Sequence, residues 1–189
     1  MILRSSPRRR DPVCFSFYAE KPGPRLRGDD NSDSALTDVL FVCTGNIFRS
    51  LTAEYALRRE LGARSRIVVA SAGTEDYPYV VRPNVREYLL GKGIDVSAHR
   101  RRTLTHEMLQ SARHGVAMSL NHQSFMQERF AYRAPVFLEA CGGACAALPD
   151  IEEVVLDYRT NPAAVDAHVR KTIDTIIEAM PRLARSLRA

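Results

Sequence analysis

No apolar run among the 189 residues approaches the ~18–20 that a membrane-spanning helix needs, so no membrane partner is expected. The basic first residues are not followed by the apolar core of a signal peptide. Cysteine is scarce: Cys14, Cys43, Cys141 and Cys145 form no C-x-x-C pair and have no histidines at zinc spacing. That argues against a metal site and a disulfide framework, and fits a reduced, reactive cysteine in a cytoplasmic protein. No internal repeat is present. A strong excess of positive charge is also missing. The net charge is only +5, and Arg4, Arg8, Arg9, Arg10, Arg25 and Arg27 all precede residue 36. No nucleic-acid partner is expected from so weak a basic balance.

What remains is ordinary for one globular domain, with 45% hydrophobic and 26% charged residues. Residues 1–35 are rich in Arg, Pro, Gly, Asp and Ser. They read as a disordered extension, or as a start assigned too early. Residues 36–189 read as the domain. There, 39–43 is a short continuous apolar run, as for a buried parallel strand. A helix is expected over 50–61, with Gly62 to end it. A strand over 66–70 follows, then a helix over 83–90 with proline in its first turn. Thr105 caps a short helix to Gln110. A weaker strand over 116–119, a helix over 121–130 and a fourth strand over 135–138 come next. Asn161-Pro162 opens a last helix, whose stripe Val165, Val169, Ile173, Ile176, Ile177 and Met180 reads as core and which Pro181 bends or ends. This alternation implies a parallel sheet covered on both faces, with sites at the carboxyl ends of its strands.

Cys43 ends the first strand. Residues 39–50 read Val-Leu-Phe-Val-Cys-Thr-Gly-Asn-Ile-Phe-Arg-Ser. Gly45 and Asn46 tolerate unusual backbone angles. Such a loop can turn successive N–H groups inward as an anion nest, and the helix N-terminus adds its own donors. Arg49 supplies a planar fork matched to two phosphate oxygens. That field favours a thiolate nucleophile, and Ser50 can donate to the sulfur. A buried cysteine at a strand end is otherwise just a small hydrophobe; the surrounding Gly-Asn, Arg and Ser point to a phosphate cradle with its own nucleophile.

The same stretch resembles the signature of the low-molecular-weight protein tyrosine phosphatase family. Ser71-Ala72-Gly73-Thr74, the segment from Pro83 through His99-Arg100, and Met118-Ser119-Leu120-Asn121-His122 are similar to family segments in the same order. The resemblance covers about residues 37–187 and implies a three-layer α/β fold with a four-stranded parallel sheet (flavodoxin-like, phosphotyrosine phosphatase I). It implies hydrolysis of phosphotyrosine on proteins through a cysteinyl-phosphate on Cys43, with no metal or other cofactor. Arg49 and the loop residues Thr44, Gly45, Asn46, Ile47, Phe48 and Ser50 would hold the phosphoryl group. Ser71 and His99 would support the loop through Asn46. Tyr77 or Tyr79, with Tyr77 the nearer match, would form an aromatic wall for the substrate ring.

The family's general acid is an Asp on a late loop. Asp150, preceded by Pro149, fits better than Asp157, although Asp150 could also simply cap a helix. Phe48 stands where many relatives have a second cysteine, Ser119 where eukaryotic members have Asp, and Leu51-Thr52 where Pro-Met is common. These departures suggest a divergent, bacterial branch. Ile47 is apolar as in phosphotyrosine-specific members; phosphoarginine-specific relatives carry Thr there. Two alternatives stay open: a thiol-dependent arsenate reductase on the same fold, drawing on Cys141 and Cys145, and a non-catalytic phosphopeptide-binding module.

Overall fold

A computed structural model describes residues 36–188; the extension expected over 1–35 lies outside the described residues. The chain runs β1 (Thr37–Cys43), α1 (Arg49–Leu61), β2 (Val69–Gly73), α2 (Pro83–Gly91), α3 (His106–Ser111), β3 (Ala112–Ala117), α4 (Leu120–Phe130), α5 (Phe137–Ala140), α6 (Ile151–Val154) and α7 (Pro162–Arg188).

β1 is the centre of the sheet. It pairs in parallel with β2 on one side and β3 on the other, in the order β2-β1-β3. Its side chains alternate between two cores. Val39, Phe41 and Cys43 pack with α1, α2 and α7, through Leu57, Leu89 and Ile173 among others. Leu40 and Val42 pack with α3 and α4, through Leu109 and Met126. A strand buried on both faces has no polar side to show, which is why 39–43 reads as an unbroken apolar run.

The sheet has three strands, not the four expected. In the fourth segment only Val136 pairs, as a single parallel bridge to Ala117. The sequence itself stops the ladder. Pro135 has no N–H to donate, so only its carbonyl is used, by Ala117 N. The next donor, Val136 N, goes to the Glu139 carboxylate, which starts α5. Phe137 then drops into the core against Phe41, ring centroids 6.1 Å apart.

Of the two outcomes expected at Pro181, the helix does not end there: α7 continues through it. An interior proline costs about 3 kcal/mol. Beyond it Leu183 and Ala184 are fully buried. Burying a leucine side chain alone contributes about 1.5–3 kcal/mol. Arg188 Nη2 adds hydrogen bonds to the carbonyls of Glu60 and Leu61, each 3.2 Å. Packing of the last turns against α1 therefore outweighs the break. The expected start of α7 holds: Asn161 Oδ1 accepts from Ala164 N at 3.0 Å. Thr105 likewise caps α3 by accepting from Met108 N.

Candidate active site

Residues 44–48 carry the chain from the carboxyl end of β1 into α1. Asn46 sits in the left-handed region, φ +55°, a conformation asparagine tolerates. Gly73, at the end of β2, lies under the loop. A Cβ there would come 2.7 Å from the Thr44 carbonyl oxygen, so the approach requires glycine. Thr74 N and Glu75 N then donate to the carbonyls of Cys43 and Thr44, at 2.9 and 3.2 Å. α1 begins with no side-chain cap, which leaves its first amides open to an anion.

The loop's own side chains form a closed network. Asn46 is fully buried. Its Nδ2 donates to Ser71 Oγ at 2.7 Å and to Ser50 Oγ at 3.1 Å, and its Oδ1 accepts from Arg102 N at 2.9 Å. His99 Nε2 donates to the Asn46 carbonyl at 2.8 Å, which fixes the ring's tautomer. Burial holds the His99 imidazole below its ordinary range. Ser71 in turn donates to the buried carboxylate of Glu54, which also pairs with Arg58 and Arg102. Ser50 Oγ is 2.9 Å from Cys43 Sγ and 3.5 Å from the Ala72 carbonyl. Ser50 can donate to the Ala72 carbonyl, and between Ser50 and Cys43 either group can donate; a Cys43 thiolate, having no proton, could only accept from Ser50.

Arg49 is 2% exposed and lies along the loop wall. Its Nη1 donates to the Leu148 carbonyl at 3.0 Å, and its Nη2 meets Thr44 Oγ1 at 3.4 Å and pairs with Asp150 Oδ2. A guanidinium this buried needs a countercharge, and Asp150 supplies it. Asp150 is also the N-cap of α6: its Oδ1 accepts from Ile151 N at 2.8 Å. The capping role and the position beside Arg49 thus coexist, one on each carboxylate oxygen. Asp157 is exposed and bonds Asn161, at the start of α7.

The remaining expected residues divide. Ile47 is partly exposed and flanks Gly45, where a Cβ would meet Ile47 Cγ1 at 3.3 Å and Tyr79 Cδ2 at 3.1 Å. Tyr79 is therefore a ring against the loop; Tyr77, more exposed, meets it in a tilted contact with centroids 4.8 Å apart. The Phe48 side chain is buried in the core cluster that also holds Cys43 and Leu51. A large apolar residue just before α1 is held by the hydrophobic effect rather than by ligand. Cys141 is buried too, and burial pushes its thiol up to about 12. Among the described residues no cluster of three or more His, Cys, Asp or Glu side chains is placed to hold a metal ion, and no helix is long and apolar enough to cross a membrane.

One residue escaped functional reading. His122, in the first turn of α4, is buried with Nε2 2.9 Å from Thr44 Oγ1. The only sequence signal was its place in the segment 118–122, with Ser119 three residues before it on a helix start.

The model of the low molecular weight phosphotyrosine protein phosphatase family matches residues 38–189. The chain belongs to this family. Among curated relatives it is 36% identical to the protein-arginine-phosphatase of Bacillus subtilis over 104 residues, 53% of this chain and 68% of that protein. It is 36% identical to the probable low molecular weight protein-tyrosine-phosphatase EpsP of Ralstonia nicotianae over 74 residues, 39% of this chain and 50% of that protein. The match thus spans half the length of the Ralstonia relative. Among solved structures, the YwlE arginine phosphatase from Geobacillus stearothermophilus superposes with a TM-score of 0.67 at 26% identity, over 80% of this chain and 93% of that one. The phosphatase-family fold expected from the loop is therefore this chain's fold, with the sheet one strand narrower than expected.

Proposed function

We propose that this phosphatase-family chain hydrolyses phosphotyrosine on proteins, and aryl phosphates generally, in the cytoplasm and without a metal. The observation that carries the reading is the convergence of the Cys43 sulfur, the Ser50 hydroxyl, the Arg49 fork and the Asp150 carboxylate on one short loop.

In the first step the Cys43 thiolate attacks phosphorus in line. The ester P–O bond breaks, and the Asp150 carboxyl gives its proton to the leaving oxygen. Arg49 and the amides of the loop and of α1 hold the equatorial oxygens. An entering phosphoryl dianion competes with Asp150 for the Arg49 fork, which frees the Asp150 carboxyl to approach the leaving oxygen. In the second step Asp150 takes a proton from water. The water oxygen attacks phosphorus, the S–P bond breaks, and Ser50 donates to the departing thiolate. A solved relative, a YwlE cysteine-to-serine mutant with a phosphorylated active-site serine, supports this role for the nucleophile by analogy.

The relatives carry both tyrosine and arginine phosphatase names. Ile47 and Tyr79 beside Gly45 favour a flat aromatic ring, because they offer it apolar and aromatic surface. Arsenate reduction is disfavoured: Cys141 is buried and poorly ionised. The test is metal-free turnover of p-nitrophenyl phosphate beside phosphotyrosine and phosphoarginine peptides. Faster release from phosphotyrosine is expected; preference for phosphoarginine would overturn the substrate assignment, and no turnover would leave a phosphopeptide-binding module.

A further inference from the structure

Thr44 stands where β1 gives way to the loop, and its hydroxyl is held from two sides. Arg49 Nη2 is 3.4 Å from Oγ1, and His122 Nε2 is 2.9 Å from the same oxygen. His122 is 4% exposed, and its other ring nitrogen is 2.7 Å from Ser119 Oγ. Ser119 occupies the capping position of α4 yet makes no side-chain cap. A serine there ordinarily accepts from a first-turn amide. Here its hydroxyl is diverted to the imidazole.

An imidazole with one partner on each nitrogen has a fixed orientation. Burial, and secondly the Arg49 charge, hold His122 neutral, down to about 3. A neutral ring carries one N–H. If Ser119 donates to Nδ1, that N–H sits on Nε2 and donates to Thr44. Both lone pairs of Thr44 Oγ1 then face donors, which leaves its own proton for a ligand in the loop.

We propose that His122 is a positioning residue for the bound phosphoryl group: backed by Ser119, it fixes Thr44 Oγ1 as an acceptor, so that the Thr44 O–H is aimed at a phosphoryl oxygen and the Arg49 fork stays against the loop wall. It acts through Thr44 and touches no reacting atom. The chain Ser119–His122–Thr44–Arg49 joins α4, on one face of the sheet, to the start of α1, on the other. The proposal rests on the phosphatase reading for its purpose, but its geometry concerns phosphate binding alone.

The test compares wild type, His122→Asn, His122→Gln, Thr44→Val and the double variant His122→Asn/Thr44→Val. Two quantities are read: the Kd for inorganic phosphate by titration calorimetry, and kcat and KM for p-nitrophenyl phosphate. Asn keeps a group near Nδ1 but loses the reach of Nε2; Gln keeps that reach. His122→Asn and Thr44→Val are each expected to weaken phosphate binding and raise KM about tenfold, with a smaller fall in kcat. The double variant is no worse than either single one, and His122→Gln recovers to within about threefold of wild type. Equal losses in His122→Asn and His122→Gln, multiplying losses in the double variant, or an unchanged phosphate Kd would each overturn the proposal. Thr44→Val lies on the loop and leaves α4 untouched, so it probes the contact even if a histidine variant folds poorly. A wild type that binds phosphate but turns over no aryl phosphate defeats the phosphatase reading and leaves this proposal to the binding data. A wild type that binds no phosphate defeats both.

Discussion

The loop after β1 and the segment that brings Asp150 to it are built to different standards. The polar side chains Asn46, Ser50 and Arg49, which shape the cradle, are each tied at least twice. Asn46 has three side-chain hydrogen bonds and a fourth on its carbonyl, and Ser50 and Arg49 are buried with partners on several sides. Asp150 sits at the head of the four-residue α6, its side chain 32% exposed, and is held only by its cap bonds and by Arg49. The cradle must present donors at fixed positions, because an anion site that has to reorganise loses the advantage of preorganised dipoles. In the proposed mechanism Asp150 would leave Arg49, reach the leaving oxygen and then a water, which suits a lightly held segment.

This contrast can be broken most sharply at the cradle. Cys43→Ser is expected to abolish aryl phosphate turnover, and Arg49→Ala to lose on the order of 10³-fold or more in kcat/KM. Activity persisting in Cys43→Ser would remove the nucleophile from the loop altogether. Asp150→Asn should cost about 10²-fold in kcat with a poor leaving group and much less with p-nitrophenolate, which needs no proton. Asp157→Asn should stay near wild type; a larger loss at Asp157 than at Asp150 in a leaving-group series would reassign the acid.

Gly73→Ala probes how rigid the cradle is. The new Cβ meets loop backbone, so the variant should lose about 1–3 kcal/mol in urea unfolding and bind phosphate more weakly. An unchanged unfolding midpoint would mean that the loop yields as easily as the acid segment.

The last test is a pH dependence. The His122 imidazole is depressed from 6.5 to about 3 by burial first. Between those values the unfolded chain binds a proton that the folded chain refuses, so stability is full above pH 6.5 and falls as the pH drops toward 3. Thermal melts should show that slope, and His122→Gln should flatten part of it. A slope unchanged in the variant would assign the acid sensitivity to other groups.

Much of this was legible in the chain. The apolar run before Cys43 and the stripe from Val165 to Met180 fixed β1 and α7, because periodicity reports which faces are buried. Cys43, Arg49 and Ser50 were legible because a phosphate loop is a local object: its nucleophile, fork and helix start lie within eight residues of sequence. The missing fourth strand was half-legible, since Pro135 was in view but the claim of Glu139 on Val136 N was not. Pro181 left two outcomes open for the opposite reason. Its local cost is real, and burial of Leu183 against distant α1 overrides it.

What the sequence by itself determined was the cradle and the family, through contacts between near neighbours. Only the tertiary structure decided what meets the cradle from far along the chain. Asp150 reaches Arg49 across 101 positions, Tyr79 lies against Gly45, Phe48 turns into the core, and His122 reaches Thr44 across 78 positions. Such pairings depend on how the parallel strands bring their carboxyl ends together at one edge, and no local spacing encodes that arrangement.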